Sequence, residues 1–115
     1  MVEVVGHRGA AGVEPENTLR GFRLAVELGA DWTECDVHLT KDGRPVVMHD
    51  ETVDRTTDGE GPVDSFSWAE LRKLDAGGWF AGEYAGERVP GLEEVLEFAR
   101  GKARLCVEIK GRTNE

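Results

Sequence analysis

Two short strings place ionisable side chains one residue apart. In "TECDVH", Glu34 and Asp36 alternate with Cys35 and Val37, and in "CVEIK", Glu108 and Lys110 alternate with Val107 and Ile109. Successive side chains of a strand point to opposite faces, so Glu34 shares a face with Asp36, and Glu108 with Lys110. Brought together, Glu34, Asp36 and Glu108 would form a hard, oxygen-rich site suited to Mg²⁺ or Ca²⁺. Zinc is less favoured, because no Cys/His ligand spacing is present. His7 and His49 each follow an apolar extended run, "VEVVG" and "PVVM". Two imidazoles flanking a bound phosphate suit general base and general acid work near neutral pH. Arg8 would clamp phosphate oxygens, and Lys110 would add positive charge at the metal or the phosphate.

Each of these residues also has a plainer reading. A lone histidine after a strand is more often a hydrogen-bonded turn residue than a catalyst, and His38 is discounted on that ground. Glu34 and Lys110 are candidates for a structural salt bridge. Asp50 either caps its turn or orients His49. "PENT" marks a helix start, although Glu16 and Asn17 are near enough to His7 in sequence to line the same pocket. Function is favoured because His7, Glu34, Asp36, His49 and Glu108 all fall at predicted strand positions on one face or end.

The elements that must position them alternate along the chain. "VEVVGH" is short, β-branched and stopped by Gly6, which predicts a strand. From Pro15 or Asn17 a helix is expected, with Leu19, Phe22, Ala25, Val26 and Gly29 on its apolar side. "DWTECDVHL" predicts a second strand, "TKDGR" a turn and "PVVMHD" a third extended piece. The stretch from Asp54 to Arg88 is irregular, with a short helix at "SFSWAELRKL" whose Ser67 and Glu70 have capping-box spacing. Its Phe66, Trp68, Leu71, Leu74, Trp79 and Phe80 require burial, so the stretch reads as a functional excursion and not as a linker. "PGLEEVLEFARG" predicts a helix with Leu92, Val95, Leu96 and Ala99 on one side, closed by Gly101. "ARLCVEIKG" predicts the last strand. This order implies parallel strands with helices outside, an α/β architecture.

A chain of 115 residues, 39% of them hydrophobic, supports one modest core, hence one domain or part of one. Its net charge of −9 argues against nucleic acid as a partner. Cys35 and Cys106 each sit in an apolar run, which predicts buried thiols and fits a reducing, cytoplasmic setting. No apolar stretch is long enough for a membrane span, and no signal peptide pattern stands at the N-terminus.

Five segments, "GHRGAAGVEPENT", "GADWTECDVHLTKDGRPVVMHDETVDRTTDGEG", "LRKLDAGGWF", "VPGLEEVLEFA" and "CVEIK", together resemble the N-terminal half of a glycerophosphodiester phosphodiesterase. The resemblance runs over nearly the whole chain in the same order. It implies a metal-dependent phosphodiesterase, built on a TIM (β/α)8 barrel, that hydrolyses glycerophosphodiesters to sn-glycerol 3-phosphate and an alcohol. By motif position it implies His7 and His49 as the acid/base pair and Glu34, Asp36 and Glu108 as ligands of Mg²⁺ or Ca²⁺. It further assigns Arg8 and Lys110 to phosphate, with Glu16, Asn17 and Asp50 in support. In the mechanism proposed for such enzymes a glycerol hydroxyl attacks phosphorus, one histidine protonates the leaving alkoxide, and water opens the cyclic phosphate. The excursion at about 54–88 resembles the inserted segment that shapes the glycerol pocket. Thr33 stands where an aliphatic residue is expected, and Gly91 where a Ser or Thr cap is common.

A closed barrel of this kind needs about 250 residues, whereas only three barrel-type strands and one short extended piece are legible here. The expectation is therefore a partial barrel domain over residues 1–115, by preference a truncated one, with an open edge prone to self-association and little turnover by itself. Two other readings are a non-catalytic half-barrel that binds phosphorylated ligands or pairs with another chain, and a related phospholipase D-type lipid phosphodiesterase.

Overall fold

The computed structural model describes residues 5–110. Four strands and three helices follow one another: β1 (Val5–His7), α1 (Leu19–Glu27), β2 (Trp32–Leu39), β3 (Pro45–Val47), α2 (Trp68–Leu71), α3 (Leu92–Ala99) and β4 (Arg104–Ile109). Short 3₁₀ turns at Val63–Ser65 and Gly82–Tyr84 interrupt the excursion between β3 and α3.

β2 is the hub of the sheet. β1 pairs parallel with Trp32–Glu34, and β4 pairs parallel with Trp32–Val37 on the opposite edge. β3 pairs antiparallel with Val37–Leu39, so it continues the β1 edge beyond the point where β1 stops. The parallel strands β1, β2 and β4 are joined by crossovers that contain α1 and α3, as the alternating order requires.

Alternation along β2 sorts two environments. Cys35 and Val37 face the helices and pack with Phe22 of α1, Val95 of α3 and Val47 of β3. Burying each such aliphatic or aromatic side chain contributes about 1.5–3 kcal/mol. Val46 points the other way, into a second cluster with Met48, Val53, Val63, Leu71, Ala76 and Val89. β3 thus joins the excursion to the barrel-type layer, and Phe66, Trp68 and Leu74 cover this second cluster as the sequence predicts. Trp79 does not: its ring packs edge-on to Phe80 and stays 38% exposed.

Several local expectations are corrected. α1 begins later than Pro15 or Asn17, because Thr18 is its N-cap and accepts the Gly21 N–H at 3.1 Å. Gly29 lies past the helix end at φ +98°, a left-handed stop and not part of the apolar face. In α3, Leu96 is 50% exposed while Phe98 packs against the core. α3 starts at Gly91 without a hydroxyl cap, and the Glu94 carboxylate accepts the Gly91 N–H at 2.9 Å instead. Thr33, fully buried, donates from its hydroxyl to the Gly6 carbonyl at 3.1 Å and so ties β2 to β1. α2 forms with the expected capping box between Ser67 and Glu70.

The loop between β1 and α1 lies close against the helix. A Cβ at Gly9, whose φ is +81°, would meet the Gly21 backbone at 2.8 Å, and a Cβ at Gly21 would meet the Pro15 carbonyl oxygen at 2.8 Å. Only glycine fits either side of that approach. At the far edge of the sheet, β4 leaves Ile109 83% exposed and Val107 partly so. Among the described residues β4 pairs with β2 alone, so its outer edge carries these apolar side chains uncovered, as anticipated for a partial barrel. Among the described residues no helix is long and apolar enough to cross a membrane.

Candidate active site

The register of the sheet assembles the acids. His7 lies opposite Glu34 across the β1–β2 ladder, and Asp36 lies opposite Glu108 across β2–β4. Oxygen atoms from Glu34, Asp36 and Glu108 all fall within 4.8 Å of one another on the face away from the helices. Asp36 is buried, Glu34 partly so, and Glu108 exposed.

The β1–α1 loop closes over this cluster. Arg8 donates its backbone N–H to Glu34 Oε1 at 3.2 Å, and His7 Nε2 lies 3.7 Å from the same oxygen. Asn17 Nδ2 donates to Asp36 Oδ2 at 3.0 Å, with Arg8 Nε 3.6 Å from that atom. Arg8 and Asn17 both adopt left-handed backbone, φ 54° and 55°, and the Asn17 N–H donates to the Arg8 carbonyl at 2.9 Å. Left-handed backbone costs a non-glycine residue about 1–2 kcal/mol, and here it aims both side chains at one carboxylate. Arg8 Nε and Asn17 Oδ1 are buried without a hydrogen-bond partner among the described residues.

Packing acids together perturbs them. The Glu34 carboxyl is pushed up to about 7, first by burial, then by a hydrogen bond and repulsion from Asp36, with Glu108 adding to it and the Arg8 N–H opposing. A proton shared inside the cluster offsets repulsion that a divalent cation would offset better. Three hard carboxylate donors and the orphaned Asn17 Oδ1 beside them fit Mg²⁺ or Ca²⁺ by chemistry. Burial, with the nearby Glu34 and Asp36, pushes the Cys35 thiol up to about 12, which leaves it inert on the helix side.

His49 belongs to a second group that reaches the cluster through a relay of ion pairs. Its Nδ1 lies 2.9 Å from Asp50 Oδ1. Arg55 joins Asp50 to Glu16, and Glu16 meets Arg8 at 3.5 Å. Asn17, Glu16 and His49 also line one small crevice. The two imidazoles are therefore linked to the same carboxylates by different routes, His7 directly and His49 through the relay.

Some expected partners differ. Lys110 pairs with Glu108 at 3.1 Å, its neighbour on the same strand face, and not with Glu34. His38 is buried and its Nε2 donates to the His49 carbonyl at 2.9 Å, the hydrogen-bonded role that the plainer reading assigns it. Cys106 is exposed and not buried, since it pairs with Glu34 and so lies on the acidic face of the edge strand. Arg55 is the residue that the sequence reading missed. It sits in irregular chain, where no periodicity reports which way a side chain points.

Residues 7–115 match the sequence profile of the glycerophosphoryl diester phosphodiesterase family. The chain belongs to that family. Similar members include the glycerophosphodiester phosphodiesterase of Caldanaerobacter subterraneus, 56% identical over 93% of this chain and 44% of that protein. A crystal structure of glycerophosphodiester phosphodiesterase from Agrobacterium tumefaciens superposes at a TM-score of 0.95 with 47% identity, over 96% of this chain and 48% of that one. An Oleispira antarctica phosphodiesterase, solved with its product sn-glycerol-3-phosphate, superposes at 0.91 with 43% identity over 96% and 45%. The chain thus spans about half the length of the family members it matches. It is an N-terminal portion of the family's TIM-barrel fold, with β1, β2 and β4 pairing in parallel and β3 pairing antiparallel beside them.

Proposed function

We propose that the protein hydrolyses glycerophosphodiesters to sn-glycerol 3-phosphate and an alcohol, with a divalent cation, Mg²⁺ or Ca²⁺, held by Glu34, Asp36 and Glu108. The observation that carries this reading is the convergence of those three carboxylates beside His7, in a chain of this family. When bound, the cation would withdraw charge from phosphoryl oxygens and ease ionisation of an attacking hydroxyl.

The chain's own residues supply positioning and proton transfer. Arg8, its backbone N–H on Glu34 and its guanidinium near Asp36, lies where it would grip a phosphate oxygen, and Lys110 would add a second positive charge. His7, 68% exposed on its side chain and 3.7 Å from Glu34, is free to meet substrate and trade a proton with it. His49 takes the complementary proton step, with Asp50 orienting its ring and Glu16 and Asn17 bracing the loop around it. The excursion at 54–88 borders this end of the sheet and would shape the glycerol side of the pocket. The two free thiols accord with a cytoplasmic setting. The exposed edge of β4 supports self-association of this stretch when it stands alone.

The test is a panel of glycerophosphodiesters assayed with a version extended to the full length of its relatives. Release of sn-glycerol 3-phosphate that stops on chelation and returns with Mg²⁺ or Ca²⁺ is expected. Turnover indifferent to chelation, or release of the phosphorylated alcohol instead, defeats the reading.

A further inference from the structure

The segment after β3 contributes a side chain for which the proposed chemistry has no use as a substrate contact. Arg55 Nε and Nη2 donate to Asp50 Oδ2 and Oδ1 at 2.9 and 3.0 Å. Its Nη1 and Nη2 donate to Glu16 Oε1 and Oε2 at 3.1 and 2.9 Å. Two forks on one guanidinium fix its plane against two carboxylates, a geometry that a lysine ammonium cannot reproduce. With those donors committed, Arg55 is poorly placed to clamp phosphate. An isolated surface ion pair contributes little, but a bidentate pair within a network is the recognised exception, and Glu16 is itself nearly buried.

The consequence falls on His49. Arg55's hydrogen bonds, with the His49 contact behind them, hold the Asp50 carboxyl down to about 2. At that value, as at the ordinary 3.8, Asp50 is anionic near neutral pH and can only accept hydrogen bonds, so what Arg55 adds is the direction in which the carboxylate points. The ring nitrogen 2.9 Å from it, Nδ1, must carry the hydrogen. In a neutral imidazole that leaves the lone pair on Nε2.

We propose that Arg55 is a positioning residue: by gripping Asp50 and Glu16 at once it locks His49 in the Nδ1–H tautomer and ties that ring to the loop carrying Arg8 and Asn17. The inference rests on His49 as a proton-transfer group. Without Arg55, the partners left among the described residues are His49 for Asp50 and the 3.5 Å contact with Arg8 for Glu16, so the Asp50 carboxylate is held by the ring alone.

The decisive measurement is ¹⁵N NMR of histidine-labelled protein at a pH where the imidazoles are neutral. The three histidine ring signals would be assigned by single replacement. The native protein is expected to show His49 with a protonated Nδ1 and an unprotonated Nε2; the opposite tautomer overturns the proposal without any variant. In Arg55→Met the His49 ring should exchange between tautomers, and in Arg55→Lys, which keeps charge and fold but not the double fork, it should exchange partially. An unchanged tautomer in both variants overturns the proposal. In the extended enzyme Arg55→Met should lower kcat about 10- to 100-fold with KM within about threefold, the scale of supporting residues behind reactive groups. A tautomer that shifts while kcat stays unchanged upholds the lock and refutes the proton-transfer role of His49, so the two failures are distinguishable.

Discussion

The acid cluster on β2 and β4 and the relay from His49 to Glu16 lie side by side, yet they handle charge in opposite ways. In the relay every carboxylate meets a guanidinium: Asp50 and Glu16 share Arg55, and Glu16 also meets Arg8. In the cluster Glu34 has an imidazole and a backbone N–H for company, and its carboxyl rises to about 7. A group that satisfies its own charges is built to hold a shape. A group that leaves acid oxygens crowded together is built to receive a cation. The loop side settles its charges by pairing, and the strand side leaves Glu34 crowded by acids.

Breaking the strand side should have the largest effect. Glu34→Gln removes one of the proposed cation ligands and is expected to lower kcat/KM by about 10³-fold or more in the extended protein, with Mg²⁺ affinity falling in parallel by calorimetry. Unchanged affinity would remove Glu34 from the ligand set. His49→Gln should cost about 10²-fold or more in kcat while leaving cation affinity as it was, because among the described residues the relay reaches the acids through Arg8 and Asn17 and not through the His49 ring. Loss of affinity in this variant would erase the division just drawn.

Acidity separates the two regions further, with opposite signs. Between its ordinary value of 4.5 and about 7, the cation-free folded chain keeps a proton on Glu34 that the unfolded chain has lost, so stability contributed there declines as pH rises through that window. Cation binding must expel this proton, so thermal stabilisation by Mg²⁺ should be greater at pH 8 than at pH 5. Asp50 behaves inversely: its contribution is present above its ordinary value of 3.8 and is lost as pH falls through about 2. Melting curves across pH with and without Mg²⁺ would expose both trends, and a cation effect independent of pH would contradict the first. The smallest effect is expected at a plain surface pair. Arg44 and Glu93, 3.4 Å apart and both exposed, should tolerate Glu93→Gln, which leaves Arg44 over the Trp68 ring, with a change of under about 0.5 kcal/mol in urea unfolding. A larger loss would show that surface pairing here matters as much as the relay.

Much of the strand side is legible before any coordinates, because period two converts spacing into facing. Glu34 with Asp36, and Glu108 with Lys110, share faces as spacing alone requires, and His7 sits where its strand stops. What spacing cannot specify is which neighbour a flexible side chain chooses, so Lys110 takes Glu108 and not Glu34. Helix faces are read less well at their ends: a nine-residue α1 excludes Gly29, and an eight-residue α3 turns Leu96 outward and Phe98 inward. The relay is least legible. Arg55 and Glu16 are 39 positions apart in irregular chain, and their meeting depends on Val46 and Met48 docking the excursion beside the first loop.

The left-handed turns at Arg8 and Asn17 carry a lesson for anyone who would engineer this protein. Glycine at those two positions would relax the backbone but strip the buried Asp36 carboxylate of the two side chains that face it, a larger loss than the strain relieved. Backbone ease and side-chain pairing thus pull in opposite directions at two hydrogen-bonded points of one loop, and the pairing outweighs the strain.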